Sequence, residues 1–337
     1  MQKPSNIGGQ AVLEGIMMRH LSQYAIAVRK SDGEIVVKTE PYKTTIPVAG
    51  IEKIPILRGV SAFVDSLVVG ISCLMYSAEF YDEEDTAGED GKKKQAGKRE
   101  REMSVADGEA KEKKPDKPKK EGSWDAMMTG TVIFSIALSV GLFILLPYFL
   151  ASLLRGIGAG EVAVSLAEAL LRIVIFLAYM ILVSRMKDIQ RVFMYHGAEH
   201  KCINCIEHGM PLTVENVMKS SRQHKRCGTS FLLFVVLISV VFFLIIGLLG
   251  IRTPLMRFLL RLLFIPVIAG CAYEVIRFAG RSENKCVAAL SAPGLLLQKL
   301  VTREPDEKQV EVAIAAVEAV FDWKEYLQTN FPEAERT

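Results

Sequence analysis

Residues 231–249 form an almost uninterrupted apolar run, broken only by Ser239 and Gly247. A helix needs roughly 20 apolar residues to cross a bilayer core about 30 Å thick. In hydrocarbon, each backbone N–H and C=O must find its partner within the protein. The run therefore points to a helical membrane fold. Residues 127–150, 162–183 and 258–278 meet the same requirement, with Glu168, Arg172, Arg261, Glu274 and Arg277 as the ionisable intrusions. The connections 154–161 and 250–254 are short, so the spans pair as two helical hairpins. The expected fold is mainly α: a polytopic helical membrane protein of about four spans with a small α+β cytosolic layer. The N-terminus, MQKPSNIGGQ, lacks the charged and apolar regions of a signal peptide. Insertion is expected to rest on the internal segments.

Around these spans the chain divides further. Residues 1–81 read as an N-terminal cytosolic unit. Ile26, Val28, Ile35 and Val37 alternate about Ser31-Asp32-Gly33, a β-hairpin signal. GGQAVLEGIMMR, residues 8–19, reads as a turn ahead of a helix, or alternatively as glycines shaping a turn against a ligand. Residues 56–81 repeat their apolar positions at helical spacing but carry Asp65 near the middle. A helix docked on the bundle or lying at the interface suits them better than a span. Residues 82–123, nearly all charged residues, Gly and Pro, read as a disordered linker. Residues 124–186 are the first transmembrane hairpin, 187–228 a cytosolic His/Cys loop and 229–280 the second hairpin. The C-terminal cytosolic segment, 281–337, holds a Ser-Ala-Pro-Gly turn. Pro305 follows, suited to the first turn of a helix whose apolar stripe (Val310, Ala313, Ile314, Val317) packs on the N-terminal layer.

Charge narrows the function classes. With 41 Lys and Arg against 38 Asp and Glu, the net charge of +3 calls for no strongly charged partner. The basic residues are not interleaved with aromatics, and no phosphate-binding loop or dinucleotide fingerprint appears, so nucleic acid is not an expected partner. Their placement is informative. Arg185, Lys187, Arg191, Lys201, Lys219, Arg222, Lys225 and Arg226 lie at one end of the spans, and Arg155, Arg252 and Arg257 at the other. The positive-inside bias then predicts a multi-pass protein of the cytoplasmic (inner) membrane with both termini and the His/Cys loop in the cytosol.

Four of the chain's 5 histidines fall within this loop. His196 and His200 stand four apart, so on a helix they share a face, with Glu199 three residues after His196. H-x-x-E-H is the inverted zincin order, in which two histidines bind metal and the glutamate activates water. The expected cofactor is a divalent metal, with zinc foremost because imidazole and thiolate suit it. His196 and His200 are the expected ligands and Glu199 the general base. His224, Cys227 and Glu274 are candidates for the third ligand. If the second span continues past the membrane, residues 185–201 are its extension and hold the site rigid. A closed structural zinc clip at Cys202-x-x-Cys205, and ordinary helix capping, are the alternatives. Glu14 and Arg19 are polar among apolar neighbours, so they are paired or functional. Arg58 and Asp65 read as pairing within the bundle, and His20 as solvated.

GGQAVLEGIMMR, PILRG, YHGAEHK, RCGTSF, AYEVIRFAGR and PGLLLQKLVTREPDEKQVEVAIAA follow one another along nearly the whole chain. Together they resemble the YqhQ-like family of bacterial integral membrane proteins, described as uncharacterised or as predicted metal-dependent enzymes. The resemblance implies a membrane location and a metal, without a substrate. Its motif positions here are Glu14, Arg19, Arg58, His196, Glu199, His200, Cys205, Glu207, His224, Cys227 and Glu274. The reading is a membrane-embedded metal-dependent enzyme, expected to be a hydrolase at the cytoplasmic membrane face. Its partners are the lipid bilayer and a substrate that is a membrane-protein segment or a lipid-linked molecule. The alternative is a non-catalytic scaffold, or a carrier for a small solute or ion, with Glu168, Arg172, Glu274 and Arg277 lining a path. In that case the His/Cys cluster is a structural metal site or none.

Overall fold

The computed structural model describes residues 3–48, 50–89, 121–249, 253–280 and 284–332. An antiparallel meander comes first: β1 (Gly8–Val12), β2 (Gly15–His20), β3 (Gln23–Arg29) and β4 (Ile35–Pro41), in the order β1-β2-β3-β4. The β3–β4 hairpin is the one expected from the Asp-Gly turn, with Arg29 opposite Ile35. Residues 8–19 correct an expectation. They form the β1–β2 hairpin, Val12 opposite Gly15, and no helix follows. The cause lies in the packing: both faces of β2 and β3 are buried, so the polar-apolar alternation that reveals a half-exposed strand is missing.

The helices are α1 (Leu57–Glu89), α2 (Glu121–Val140), α3 (Leu146–Ser152), α4 (Glu161–Val183), α5 (Lys187–Glu207) and α6 (Val214–Lys219). They continue as α7 (Gly228–Leu248), α8 (Pro254–Ala279), α9 (Lys285–Val301), α10 (Glu307–Glu318) and α11 (Trp323–Asn330). Five segments are long and apolar enough to cross a membrane: Leu57–Phe80, Gly130–Ile157, Glu161–Val183, Gly228–Leu248 and Leu255–Ala279. The mainly α membrane architecture thus stands, with one more such helix than the four counted from sequence. The extra one lies within α1. Asp65, which weighed against it, is satisfied locally: the Tyr42 hydroxyl (2.7 Å) and the Thr45 backbone N–H (2.6 Å) both donate to its carboxylate. The expected charged linker overlaps α1 as far as Glu89 and α2 from Glu121; residues 90–120 lie outside the described residues.

The sheet is the filling of a three-layer unit. Ile7, Ile16, Met18 and Ala27 pack against Tyr195, Cys202 and Ile206 of α5 and Val310, Ala313 and Val317 of α10. Val12, Met17, Tyr24, Ile26 and Val28 pack on the other side against Val69, Cys73, Tyr76 and Phe80 of α1. Each fully buried side chain of this size contributes about 1.5–3 kcal/mol of transfer free energy, so the layer holds α5 firmly. The opposite flank of α1 leaves Leu67, Ile71 and Leu74 exposed, as a membrane-facing surface would.

Three local expectations are corrected, two of them by tertiary contacts. The second span does not run on into the His-bearing helix, because α4 ends at Val183 and Met186 is extended (φ −71°, ψ 130°). The carbonyl of Ser184 at this break accepts hydrogen bonds from Gln190 (3.1 Å) and Arg303 (3.3 Å), which offset the lost helical partner. The Ser-Ala-Pro-Gly stretch is not a turn; Pro293 sits inside α9, and packing of α9 along α7 outweighs the missing backbone donor. Pro305 precedes its helix, whose N-cap is Asp306 in a reciprocal capping box with Gln309.

Near the ends of α4 and α8 remote from α5, Glu168 is closed between two arginines. Arg172 donates to one carboxylate oxygen (2.9 Å) and Arg261 to the other (2.7 Å), with all three side chains buried. Both guanidinium groups also lie over the Phe243 ring.

Candidate metal centre

The helix α5 carries His196, Glu199 and His200 through the interior at helical spacing, as H-x-x-E-H requires. Gly197 does not interrupt it. A Cβ at that position would come within 2.0 Å of the Arg303 carbonyl oxygen. Only glycine lets the 301–305 segment lie so close, and that segment supplies an anchor for the site. The Val301 carbonyl accepts from His196 Nδ1 at 2.9 Å, and the Arg222 carbonyl from His200 Nδ1 at 2.6 Å. With each Nδ1 donating to a backbone oxygen, both Nε2 atoms are turned to the opposite side of the ring. This is the outer support usual for metal-binding imidazoles.

Cys227 comes to the same point from the N-terminus of α7. Its backbone is extended (φ −92°, ψ 140°) at the N-cap, and its thiol lies 3.3 Å from His196 Nε2 and 3.0 Å from the Thr229 hydroxyl. Ligand atoms of His196, His200 and Cys227 all lie within 4.8 Å of one another, the one group of three or more such residues among the described residues. Tetrahedral zinc ligands at ~2.0–2.3 Å stand about 3.5 Å apart, so small side-chain movements would close the triangle. Two imidazoles and a thiolate with an open fourth position fit zinc, and fit magnesium or calcium poorly. Charge is already arranged for it. Burial opposes ionisation of Cys227, yet His196 and His200 beside it hold its thiol well below the ordinary range. Burial likewise disfavours a charged His196, and the facing Cys227 thiolate together with Glu199 outweighs it, raising the imidazole to about 9.

Glu199 stays outside the triangle. It is buried, and among the described residues no N–H or O–H donates to its carboxylate. Its side chain lies against β1, where a Cβ on Gly9 would come within 2.9 Å of Glu199 Cγ. Gly9 is thus required for the close approach of strand and helix.

The remaining expected site residues are placed elsewhere. Glu274, proposed as third ligand, is held by the Arg58 guanidinium through both carboxylate oxygens, Arg58 Nε donating at 2.6 Å. His224 is beside the site, its ring 5.8 Å from that of His200, but its Nε2 faces Glu207 at 3.5 Å. Glu207 also accepts from the Ser5 backbone N–H (2.7 Å) and from Arg226. Burial alone would raise its carboxyl, but His224, Arg226 and the Ser5 amide together lower it to about 2. Cys205 Sγ points at the Met210 and Pro211 carbonyls, burial pushes its thiol up to about 11, and neither Cys202 nor Cys205 joins a group of three such side chains among the described residues. Glu14 sits at the β1–β2 turn with φ 47° and pairs with Arg191, the Tyr195 hydroxyl donating at 3.1 Å. Arg19 stacks on Tyr42, its guanidinium carbon 3.3 Å from the ring centroid. Arg277 lines a cavity of about 650 Å³ with Arg19 and Arg58. His20 is not merely solvated: its ring packs edge-on against Phe321 at 4.8 Å.

Several supports escaped the sequence reading. Gln298 of α9 bonds both backbone groups of His224 (3.0 and 2.8 Å). Lys201 and Asn204, one turn along α5, donate to the Met218, Ser220, Ser221 and Gln223 carbonyls and fix the loop ahead of Cys227. The available signal was modest: polar residues at positions where α5 is otherwise apolar.

The chain matches the family described as "Protein of unknown function (DUF1385)" over residues 54–323. It is also 35% identical over 316 residues to "Uncharacterized protein YqhQ" of Bacillus subtilis (strain 168), covering 92% of this chain and 91% of that protein. No solved structure matches. With the family match spanning most of the chain and the relative nearly all of it, the protein belongs to the DUF1385 family, as the motifs anticipated.

Proposed function

We propose that the protein is a metal-dependent hydrolase of the cytoplasmic membrane, working at its cytosolic face with His196, His200 and Cys227 as metal ligands and Glu199 as general base. The observation that carries this is the convergence of three ligand atoms within 4.8 Å, two from imidazoles whose Nδ1 atoms are tied to backbone carbonyls. A divalent metal held there supplies Lewis acidity toward water and toward a carbonyl or phosphoryl oxygen. Glu199, which has no donor to its carboxylate among the described residues and lies beside His196, accepts a proton from the attacking water as the new bond to carbon or phosphorus forms. It returns that proton to the oxygen that leaves. Thr229 holds the Cys227 sulfur, and the Val301 and Arg222 carbonyls hold the rings. The excess of Lys and Arg on the α5 side of the spans favours the cytosolic orientation and cytosolic termini. A carrier would need charged span residues facing a shared aqueous path. Glu168 closed between Arg172 and Arg261, and Glu274 held by Arg58, favour the enzyme.

The test is metal content by mass spectrometry of detergent-purified protein. Expected is about one zinc per chain, lost in His200→Ala and Cys227→Ala and kept in Cys205→Ala and Glu199→Gln. Retention in Cys227→Ala with loss in Cys205→Ala would move the metal to a structural clip. A well-folded wild type that takes up no metal on reloading would end the proposal.

A further inference from the structure

Along α1 a groove of about 640 Å³ runs from the exposed apolar flank to the metal centre. Its outer walls are Phe63, Leu67, Ile71 and Leu74 of α1 with Phe231 and Leu232 of α7. Its inner end reaches Gly8, Gln10, Arg226 and Cys227, the last being a proposed ligand. There it meets a second cavity, of about 620 Å³, sharing Gly8, Gln10, Ser66, Arg226 and Gly228. This one is lined in addition by Arg19, Tyr42 and Gly9, behind which Glu199 lies. The cavity's other charges are engaged, Asp65 by Tyr42, Thr44 and Thr45 and Arg226 by the buried Glu207. Arg19 has no ion pair among the described residues and is held flat on Tyr42. Two adjoining cavities thus present a hydrocarbon end facing outward and, at Arg19, a cationic end.

We infer that these adjoining cavities hold a membrane lipid phosphate, its hydrocarbon chain along α1 and its phosphate at Arg19, and that this lipid is the substrate class of the enzyme. The inference rests on the hydrolase reading for the word substrate, but not for the binding. Charge complementarity selects the head group, because a guanidinium fork suits phosphate oxygens. The outer walls select the chain. They are helices with their backbone groups already bonded and apolar side chains, so an extended peptide laid there would leave its own N–H and C=O groups without partners. A lipid chain has no such requirement.

The experiment is photolabelling of full-length protein in dodecylmaltoside, zinc-loaded and zinc-stripped, with a phosphatidic acid bearing a diazirine in its acyl chain. A diacylglycerol carrying the same chain serves as the neutral probe. Expected are crosslinks mapped to α1 and the start of α7, with or without zinc. Leu67→Trp should abolish labelling by both probes, and Leu263→Trp, on the exposed face of α8, should leave it unchanged. Arg19→Gln should weaken phosphatidic acid binding about tenfold and spare the neutral probe. Equal labelling of wild type and Leu67→Trp, or equal loss of both probes in Arg19→Gln, would overturn the inference. So would displacement of the probe by a 20-residue Leu/Ala helical peptide but not by unlabelled phosphatidic acid, which would assign the groove to a protein segment. Zinc bound without lipid labelling defeats this inference alone, and labelling without any zinc uptake defeats the hydrolase alone.

Discussion

Replacing Gly197 by alanine sets two magnitudes against each other. In a helix interior the change from glycine to alanine is worth about 1 kcal/mol in favour of folding. Here the new Cβ would stand 2.0 Å from the Arg303 carbonyl oxygen, where carbon–oxygen contacts begin at about 3.3 Å. The 301–305 backbone must therefore withdraw by roughly 1.3 Å. It is pinned by the Arg303 N–H to the Phe193 carbonyl at 2.9 Å, a bond that such a movement breaks. Overpacking of this kind costs about 1–3 kcal/mol and the lost buried hydrogen bond about 1 more, so the net is a destabilisation of about 2 kcal/mol. Because Val301 anchors His196, zinc affinity should fall as well, by about 10- to 100-fold, the usual effect of disturbing a ligand's outer support. Thermal unfolding in detergent, with a competing chelator to read zinc affinity, checks both. Gly130→Ala is the control: a Cβ there meets nothing within 4 Å, and the melting temperature should hold or rise. A Gly197→Ala protein that melts at or above the wild-type temperature with unchanged zinc affinity would refute the account of how α5 and the 301–305 segment fit together.

Two other perturbations follow from buried charge. Glu207 is held at about 2, below the ordinary carboxyl value, so its stabilisation is complete above about pH 4.5 and is lost as pH falls toward 2. Glu207→Gln should be less stable by about 3 kcal/mol at neutral pH, and the gap should close on acidification; a gap unchanged at pH 2.5 would contradict this. Glu168→Gln leaves Arg172 and Arg261 buried side by side without their shared counter-charge. Its apparent stability in detergent should drop by about 3 kcal/mol or more, with partial recovery when Arg261 is also made Met.

Among the corrections, Glu274 is the most instructive. As an ionisable residue in a span it reads as functional, and its partner Arg58 stands 216 positions earlier, beyond any local pattern. The β1–β2 hairpin was missed because burial on both faces erased its period. Pro293 suggests a turn in the sequence, because the packing that keeps α9 helical through it comes from α7.

The sequence by itself determined what depends on near neighbours. Runs of apolar residues set helices of membrane-crossing length, Asp32-Gly33 set a hairpin, and the four-residue spacing put His196 and His200 on one helical face. Tertiary structure decided which third group joins them. His224, Cys227 and Glu274 are chemically plausible alike, and only the tertiary fold, with Lys201 and Asn204 of α5 holding the loop ahead of α7, brings the Cys227 sulfur 3.3 Å from His196 while His224 faces Glu207 and Glu274 faces Arg58. Spacing along a helix fixes directions over a turn or two, whereas contacts between helices depend on how whole faces fit, and that information is spread over the chain.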